Sequence, residues 1–345
     1  VLLGIFGFCF SHSMMSLLQT PADILDEAVL YLRVYFVGFP FLFMYNILSN
    51  MFTSIGESKI PLGLLIFSSI LNIFMDLWMV AGLGLGVFGA ALATLIAQGI
   101  SAVFSLLLFL SRMRRYKSHF DWFDRQELHS MLQIAVPSVL QQSTVSIGMM
   151  IVQAVVNPFG TQALAGYAAT MRVENVFSLI FVSIGNAVSP YVSQNLGAKK
   201  YQRIRKGVRS GTYMAVLTSV FISGMMVLIG RNILSLFVSG EPDQTRQVLD
   251  IAYKYLFIMA VFLWVLYLLY VYRSAIQGLG NTLIPLASGI AEFIMRVSVA
   301  LLLPKLIGED GIYYAEICAW SSAAVLLFVS YMIIIRKYKE VTVHT

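Results

Sequence analysis

Charge is what this 345-residue chain has least of. Only 12% of its residues are Asp, Glu, Lys or Arg, about half the ~25% that soluble globular domains carry. So few charges cannot cover the surface of a water-soluble chain of this length. Cysteine is scarce too: Cys9 and Cys318 both lie in apolar segments and read as small buried hydrophobes. That excludes a disulfide framework and a thiolate metal site. His12, His119, His129 and His344 are scattered and form no ligand cluster. The glycines at Gly82, Gly84, Gly86 and Gly89 are not followed by Lys-Ser/Thr, so they are not a phosphate loop. They suit a tight turn and close helix approach instead. Neither an Asp-x-x-x-Asp pair nor a His cluster is present, so a membrane transferase is not expected. No enzyme activity and no cofactor are expected. Any transport must draw on ion gradients.

What the chain has is apolar length. Hydrophobic residues make up 59%, in runs such as 60–80 and 214–229. About 20 apolar residues cross the ~30 Å hydrocarbon core as a helix. Transmembrane strands would alternate in short segments, and no such alternation occurs. The runs predict spans at 1–18, 28–53, 60–80, 87–110, 131–157, 163–192, 211–238, 247–276, 282–304 and 311–335. Pro21, Pro61, Pro158, Gly160, Gly197, Pro242, Gly280 and Pro304 punctuate their ends. The fold class is therefore an all-α polytopic membrane protein. The opening Val1-Leu-Leu-Gly lacks the basic start of a signal peptide and reads as a helix already under way.

The loops alternate in charge. Arg112, Arg114, Arg115, Lys117 and Arg125 follow the fourth span. Lys199, Lys200, Arg203, Arg205, Lys206 and Arg209 follow the sixth, and Arg336, Lys337 and Lys339 follow the last. Asp23, Asp26, Glu27, Glu241, Asp243, Glu309 and Asp310 fall on the opposite side. The positive-inside rule puts the basic loops and the C-terminus in the cytoplasm of a cell-membrane protein. The same rule explains the basic residues without nucleic acid as a partner.

An internal repeat organises the chain. Ser54-Ile-Gly56-Glu-Ser-Lys-Ile-Pro61-Leu62 matches Gly278-Leu-Gly280-Asn-Thr-Leu-Ile-Pro285-Leu286 at an offset of 224 residues. Each copy follows a Tyr-bearing helix and precedes two more spans. Both copies have the same orientation, as in a two-lobe parallel repeat of six-helix bundles. The expected division is an N-lobe at 1–118, a cytoplasmic linker at 119–130 and a C-lobe at 131–345. By the offset, the first lobe lacks about two and a half helices, so roughly 100 residues are expected ahead of Val1.

Four segments resemble the multidrug and toxic compound extrusion (MATE) family over nearly the whole chain. Asn72-Ile-Phe-Met-Asp76 with Gly86-Val-Phe-Gly-Ala-Ala-Leu-Ala-Thr94 and Gln98 is similar to its fifth and sixth helices. Ala135-Val-Pro137-Ser-Val-Leu-Gln141 resembles its seventh, and Ser189-Pro-Tyr-Val-Ser-Gln194-Asn-Leu-Gly197 the end of its eighth. The resemblance implies twelve helices in two lobes. It implies efflux of small cationic, amphipathic drugs in antiport with H⁺ or Na⁺ by a monomer embedded in membrane lipid. One branch of the family carries carboxylates on helices one and five, and Asp76 matches the second. Another uses acids on helices seven and ten. Here Gln141, Gln142, Tyr267 and Tyr270 occupy those spans, which favours the Asp76 type.

Intramembrane ionisable groups are costly unless paired or hydrated, and so mark candidate sites. Asp76 lies 15 residues beyond Pro61, ~22 Å along a helix. It is the candidate cation-coupling group, with Asn72 one turn away. The competing reading is a carboxyl tied to Asn72 by helix packing. Gln98, Pro137, Gln141, Gln142, Glu174, Asn186 and Tyr267 are the candidate lining of a substrate cavity, where Glu174 would attract a cationic drug. Asn46 and Asn50 are further polar groups in apolar spans. Interhelical hydrogen bonds are the alternative for these amides, and an ion pair for Glu174. Glu292 and Arg296, spaced i, i+4, with Glu316 at similar depth, form a candidate polar cluster that would hold the second lobe together. Arg273 is expected to snorkel. Two other functions compete with antiport. A lipid-linked oligosaccharide flippase would need several unflanked basic residues for an anionic pyrophosphate. A non-transporting remnant would follow from an incomplete first lobe.

Overall fold

The computed structural model describes residues 1–17, 20–21, 23–114, 123–238 and 242–341. The sequence expectations for Arg115, Lys117, His119, Glu241, His344, the side chain of Lys339 and linker residues 119–122 lie outside the described residues.

Hydrocarbon offers the backbone no hydrogen-bond partner, so a spanning segment must satisfy its own N–H and C=O groups. Accordingly, every regular element among the described residues is helical. In order they are α1 (Leu2–Leu17), α2 (Leu25–Ser54), α3 (Lys59–Asp76), α4 (Gly86–Met113), α5 (Arg125–Val156), α6 (Thr161–Gly197) and α7 (Tyr201–Ser235). Then come α8 (Pro242–Gly278), α9 (Leu283–Leu302), the single turn α10 (Pro304–Ile307) and α11 (Asp310–Val341). Among the described residues, nine helices are long and apolar enough to cross a membrane, and the apolar α1 has 16 residues. The chain is a multi-pass, all-α membrane protein.

Several helices overrun their expected apolar spans. α5 begins at Arg125, because the Asp124 side chain accepts hydrogen bonds from the N–H groups of Gln126 (2.7 Å) and Glu127 (3.3 Å). That is an N-cap, and it satisfies donors a helix start leaves open. Residues 125–130 are therefore helical. α7 begins at Tyr201 and absorbs the basic run, since Arg and Lys are good helix formers.

The chain forms two compact units, Val1–Asp121 and Trp122–Thr345. In unit 1, α2 packs on α1 and α4, and α3 packs on α4. In unit 2, α8 is the central helix, flanked by α6, α7 and α11; α9 lies between α11 and α5. The repeat seen in sequence recurs in backbone. Gly56 (φ 86°) and Gly280 (φ 83°) take the same left-handed turn, a conformation glycine alone adopts without strain. α3 and α9 start at Lys59 and Leu283, and α4 and α11 at Gly86 and Asp310, each pair 224 residues apart. Ion pairs tie helix ends in both units, at different ends of the repeat. Arg112 meets Glu57 at 3.3 Å in unit 1, and Lys254 meets Asp310 at 2.6 Å in unit 2.

The α6–α8 contact depends on Gly278. A Cβ there would fall 2.6 Å from the Ser189 carbonyl oxygen and 2.9 Å from the Val192 Cβ. The first neighbour is backbone and cannot rotate away. Gly278→Ala is expected to destabilise unit 2 by about 1–3 kcal/mol, the usual cost of overpacking. A lowered thermal midpoint in detergent checks this; an unchanged midpoint would mean that α6 and α8 separate freely.

Candidate functional site

Unit 1 carries a polar pocket among apolar helices. Its volume is about 350 Å³, and its lining includes Asn46 on α2, Ser68 and Asn72 on α3, and Thr94, Gln98 and Ser101 on α4. Asn72 donates a long hydrogen bond (3.4 Å) to the Thr94 hydroxyl, which in turn donates to the Ala90 carbonyl at 3.1 Å. Asp76 lies one turn beyond Asn72, and one of its carboxyl oxygens is buried with no hydrogen-bond partner. The packing alternative, in which Asn72 holds Asp76, is not the arrangement found. Asp76 is the last residue of α3, and the next turn, Leu77–Gly82, is wound as a π-helix. Such turns shift the helix register and recur at functional sites. The π turn ends in the tight glycine loop, with Leu83 and Leu85 N–H bonded to Trp78 and Met79 carbonyls.

Unit 2 holds a buried charge cluster. Glu292 and Arg296 sit one turn apart on α9, and the hairpin through α10 brings Glu316 of α11 beside them. Arg296 Nε donates to both Glu316 oxygens at 3.1 Å, and its Nη2 donates to Glu316 Oε2 and Glu292 Oε1 at 2.9 Å. Arg296 and Glu316 are wholly buried. The cluster is larger than the sequence suggested. Arg273, expected to snorkel, is buried on α8 and donates from Nη2 to Glu292 Oε2 at 2.9 Å. Glu292 had a second oxygen to offer, and a charge-assisted bond inside the bundle outcompetes the reach to the surface. The apolar company of Arg273, from Trp264 to Ile276, was the one sequence signal for this.

The remaining candidates fall in different places. Gln98 is half-buried at the unit 1 pocket. Pro137 is half-buried inside the continuous helix α5. Gln142 and Asn186 are exposed. Gln141, Glu174 and Tyr267 are buried inside unit 2. Gln141 packs on α9, where a Cβ at Gly289 would meet its Cγ at 2.8 Å. Tyr267 stands edge-on to Phe181 at 5.5 Å, and its hydroxyl has no partner. A feature unanticipated from sequence is a tyrosine column. Tyr167 and Tyr255 stack at 5.8 Å, and Tyr255 and Tyr313 at 4.8 Å. Among the described residues, no group of His, Cys, Asp and Glu is arranged to hold a metal ion.

Comparison with known proteins places this arrangement. The MatE family model matches residues 1–78 and 137–302. The probable multidrug resistance protein YpnP of Bacillus subtilis is 27% identical over 310 residues, covering 90% of this chain and 68% of that protein. The multidrug export protein MepA of Staphylococcus haemolyticus is 23% identical over 336 residues, covering 96% and 73%. Among solved structures, a MATE protein in a bent conformation matches with a TM-score of 0.87 at 19% identity, covering 99% of this chain and 76% of that one. A Vibrio cholerae MATE transporter matches with a TM-score of 0.81 at 21% identity, covering 97% and 76%. The solved structures establish likeness of fold.

Proposed function

The chain belongs to the MatE family of membrane transporters, and on that premise we propose that it exports small cationic, amphipathic compounds in antiport with H⁺ or Na⁺. The observation that carries this reading is the Asp76 carboxyl. One oxygen is buried without a partner, at a π turn, beside a pocket lined with amides and hydroxyls. A carboxyl left open in this way can take up a cation, and an irregular turn beside it can shift when it does. Coupling follows if the loaded and unloaded forms of the site favour opposite states of the protein, and drug binding favours the other. The likeness to YpnP, a probable multidrug resistance protein, and to MepA, a multidrug export protein, supports the substrate class.

The basic loops and the C-terminus face the cytoplasm in this reading, as their Lys and Arg content requires. The protein works as a monomer in the cell membrane. Pro137, which removes one hydrogen bond within α5, serves as a point of bending. Pro137→Ala is expected to slow transport while leaving the thermal midpoint within a few degrees; equal loss of both would make the proline purely structural.

Accumulation of a fluorescent lipophilic cation in cells tests the function. Cells expressing the full-length protein should accumulate less dye, and an ionophore that collapses the cation gradient should abolish the difference. Dye exclusion that survives the ionophore would overturn the proposal.

A further inference from the structure

An apolar groove runs between α6 and α7 in unit 2. Its volume is about 810 Å³, and Leu179, Ile184 and Met214 are among its walls. Two glycines one turn apart let α6 side chains lie against the α7 backbone. A Cβ at Gly207 would overlap the Tyr191 ring, and one at Gly211 would come 3.1 Å from Val188 Cγ2. On α6 the groove is lined by small residues, Ser183 and Ala187. The Ser183 hydroxyl donates to the Leu179 carbonyl of its own helix at 2.5 Å, so it adds little polarity to the wall. One end is different. Lys206 stands there, exposed, with no hydrogen bond or ion pair among the described residues. It belongs to a run of six basic residues from Lys199 to Arg209, none of them in an ion pair among the described residues. No Asp or Glu occurs from Asn175 to Ser235, so the groove walls bring no counter-charge. Thr218, at the far end, lies 12 residues beyond Lys206, ~18 Å along the helix. Half of the ~30 Å hydrocarbon core is ~15 Å. The groove is therefore about one leaflet deep, with its cation at the level of the headgroups.

We propose that this groove holds one anionic phospholipid, with an acyl chain between α6 and α7 and the phosphate on Lys206. Length and polarity select the chain: the walls are apolar over the depth that one leaflet's hydrocarbon fills. Charge selects the headgroup, because basic side chains near a membrane surface attract anionic lipids. The same charge argues against a drug. A cationic compound would meet a basic run with no acid beside it. The groove is thus distinct from the amide-lined pocket of unit 1. A seated chain fills the gap between the two helices, and a ligand that binds only the folded protein stabilises it. The site does not rest on the exporter reading.

Native mass spectrometry of the full-length protein tests the site without any transport, with phosphatidylglycerol or phosphatidylcholine added to the detergent. The wild type should retain one phosphatidylglycerol more tightly than any phosphatidylcholine. Lys206→Gln should weaken that retention about five-fold, the effect of one basic side chain at a membrane surface. Ala187→Phe keeps the charge but blocks the groove, and should weaken retention at least as much. Both positions are exposed, so both variants should fold. Arg336→Gln with Lys337→Gln removes two charges from α11, outside the groove, and should change nothing. Added phosphatidylglycerol should also raise the thermal midpoint of the wild type more than that of Lys206→Gln. Equal retention of the two lipids, or wild-type retention in either groove variant, overturns the proposal. So does equal weakening by the α11 pair, which would show a general pull of the basic surface. A wild type that retains no phosphatidylglycerol, as when another segment of the full-length protein fills the groove, overturns it too.

Discussion

Arg296→Met should cost unit 2 about 3–5 kcal/mol of stability, the range found when one partner of a buried ion pair is removed. The side chain is wholly buried and makes bonds to two carboxylates, Glu292 and Glu316, on two helices. Methionine matches much of its length but leaves Glu316 with no counter-charge and Glu292 with Arg273 alone. The loss therefore comes mostly from stranded acids rather than from lost packing. Two further variants separate these causes. Arg296→Met combined with Glu316→Gln should recover much of the stability, because the stranded charge is gone. Arg296→Lys should remain impaired, since an ammonium cannot reproduce the fork that spans both acids. Thermal unfolding in detergent reads all three. A single variant as stable as the wild type would show that the cluster does not hold α9 and α11 together.

Asp76→Asn should abolish gradient-driven efflux while the protein stays folded. The substitution keeps shape and removes only the capacity to carry a cation. Its stability cost should be small, because the buried oxygen has no hydrogen bond to lose. Drug binding should survive, since the pocket amides of Asn46, Asn72 and Gln98 are untouched. What should disappear is the dependence of drug movement on the cation gradient. A fall in both stability and binding would instead make Asp76 a packing residue of α3.

The sequence made some of this architecture legible and hid the rest for physical reasons. Span type, and nine of the ten expected spans, were readable because hydrocarbon imposes length and helicity together. The repeat was readable because its turn depends on chemistry that few residues supply, at Gly56 and Gly280 with Pro61 and Pro285 close behind. Glu292 and Arg296 could be paired from their i, i+4 spacing. Which way a polar residue points was not readable. A soluble helix shows its phase by contrast between apolar and polar faces, but here both lipid and protein neighbours are apolar. Gln141 and Gln142 are adjacent and chemically identical, yet one is buried against α9 and the other is exposed. Glu174 and Arg273 posed the same problem. Their burial is decided by partners on helices distant in sequence, and no local pattern reports it.

The most direct test of the account is the reverse experiment in proteoliposomes. A gradient of lipophilic cation should drive H⁺ or Na⁺ in the opposite direction, because coupling between two bound species is reciprocal. The account predicts that wild-type protein shows this counterflux and that Asp76→Asn shows none. Drug movement by the wild type without any cation counterflux, or full counterflux in Asp76→Asn, would contradict it.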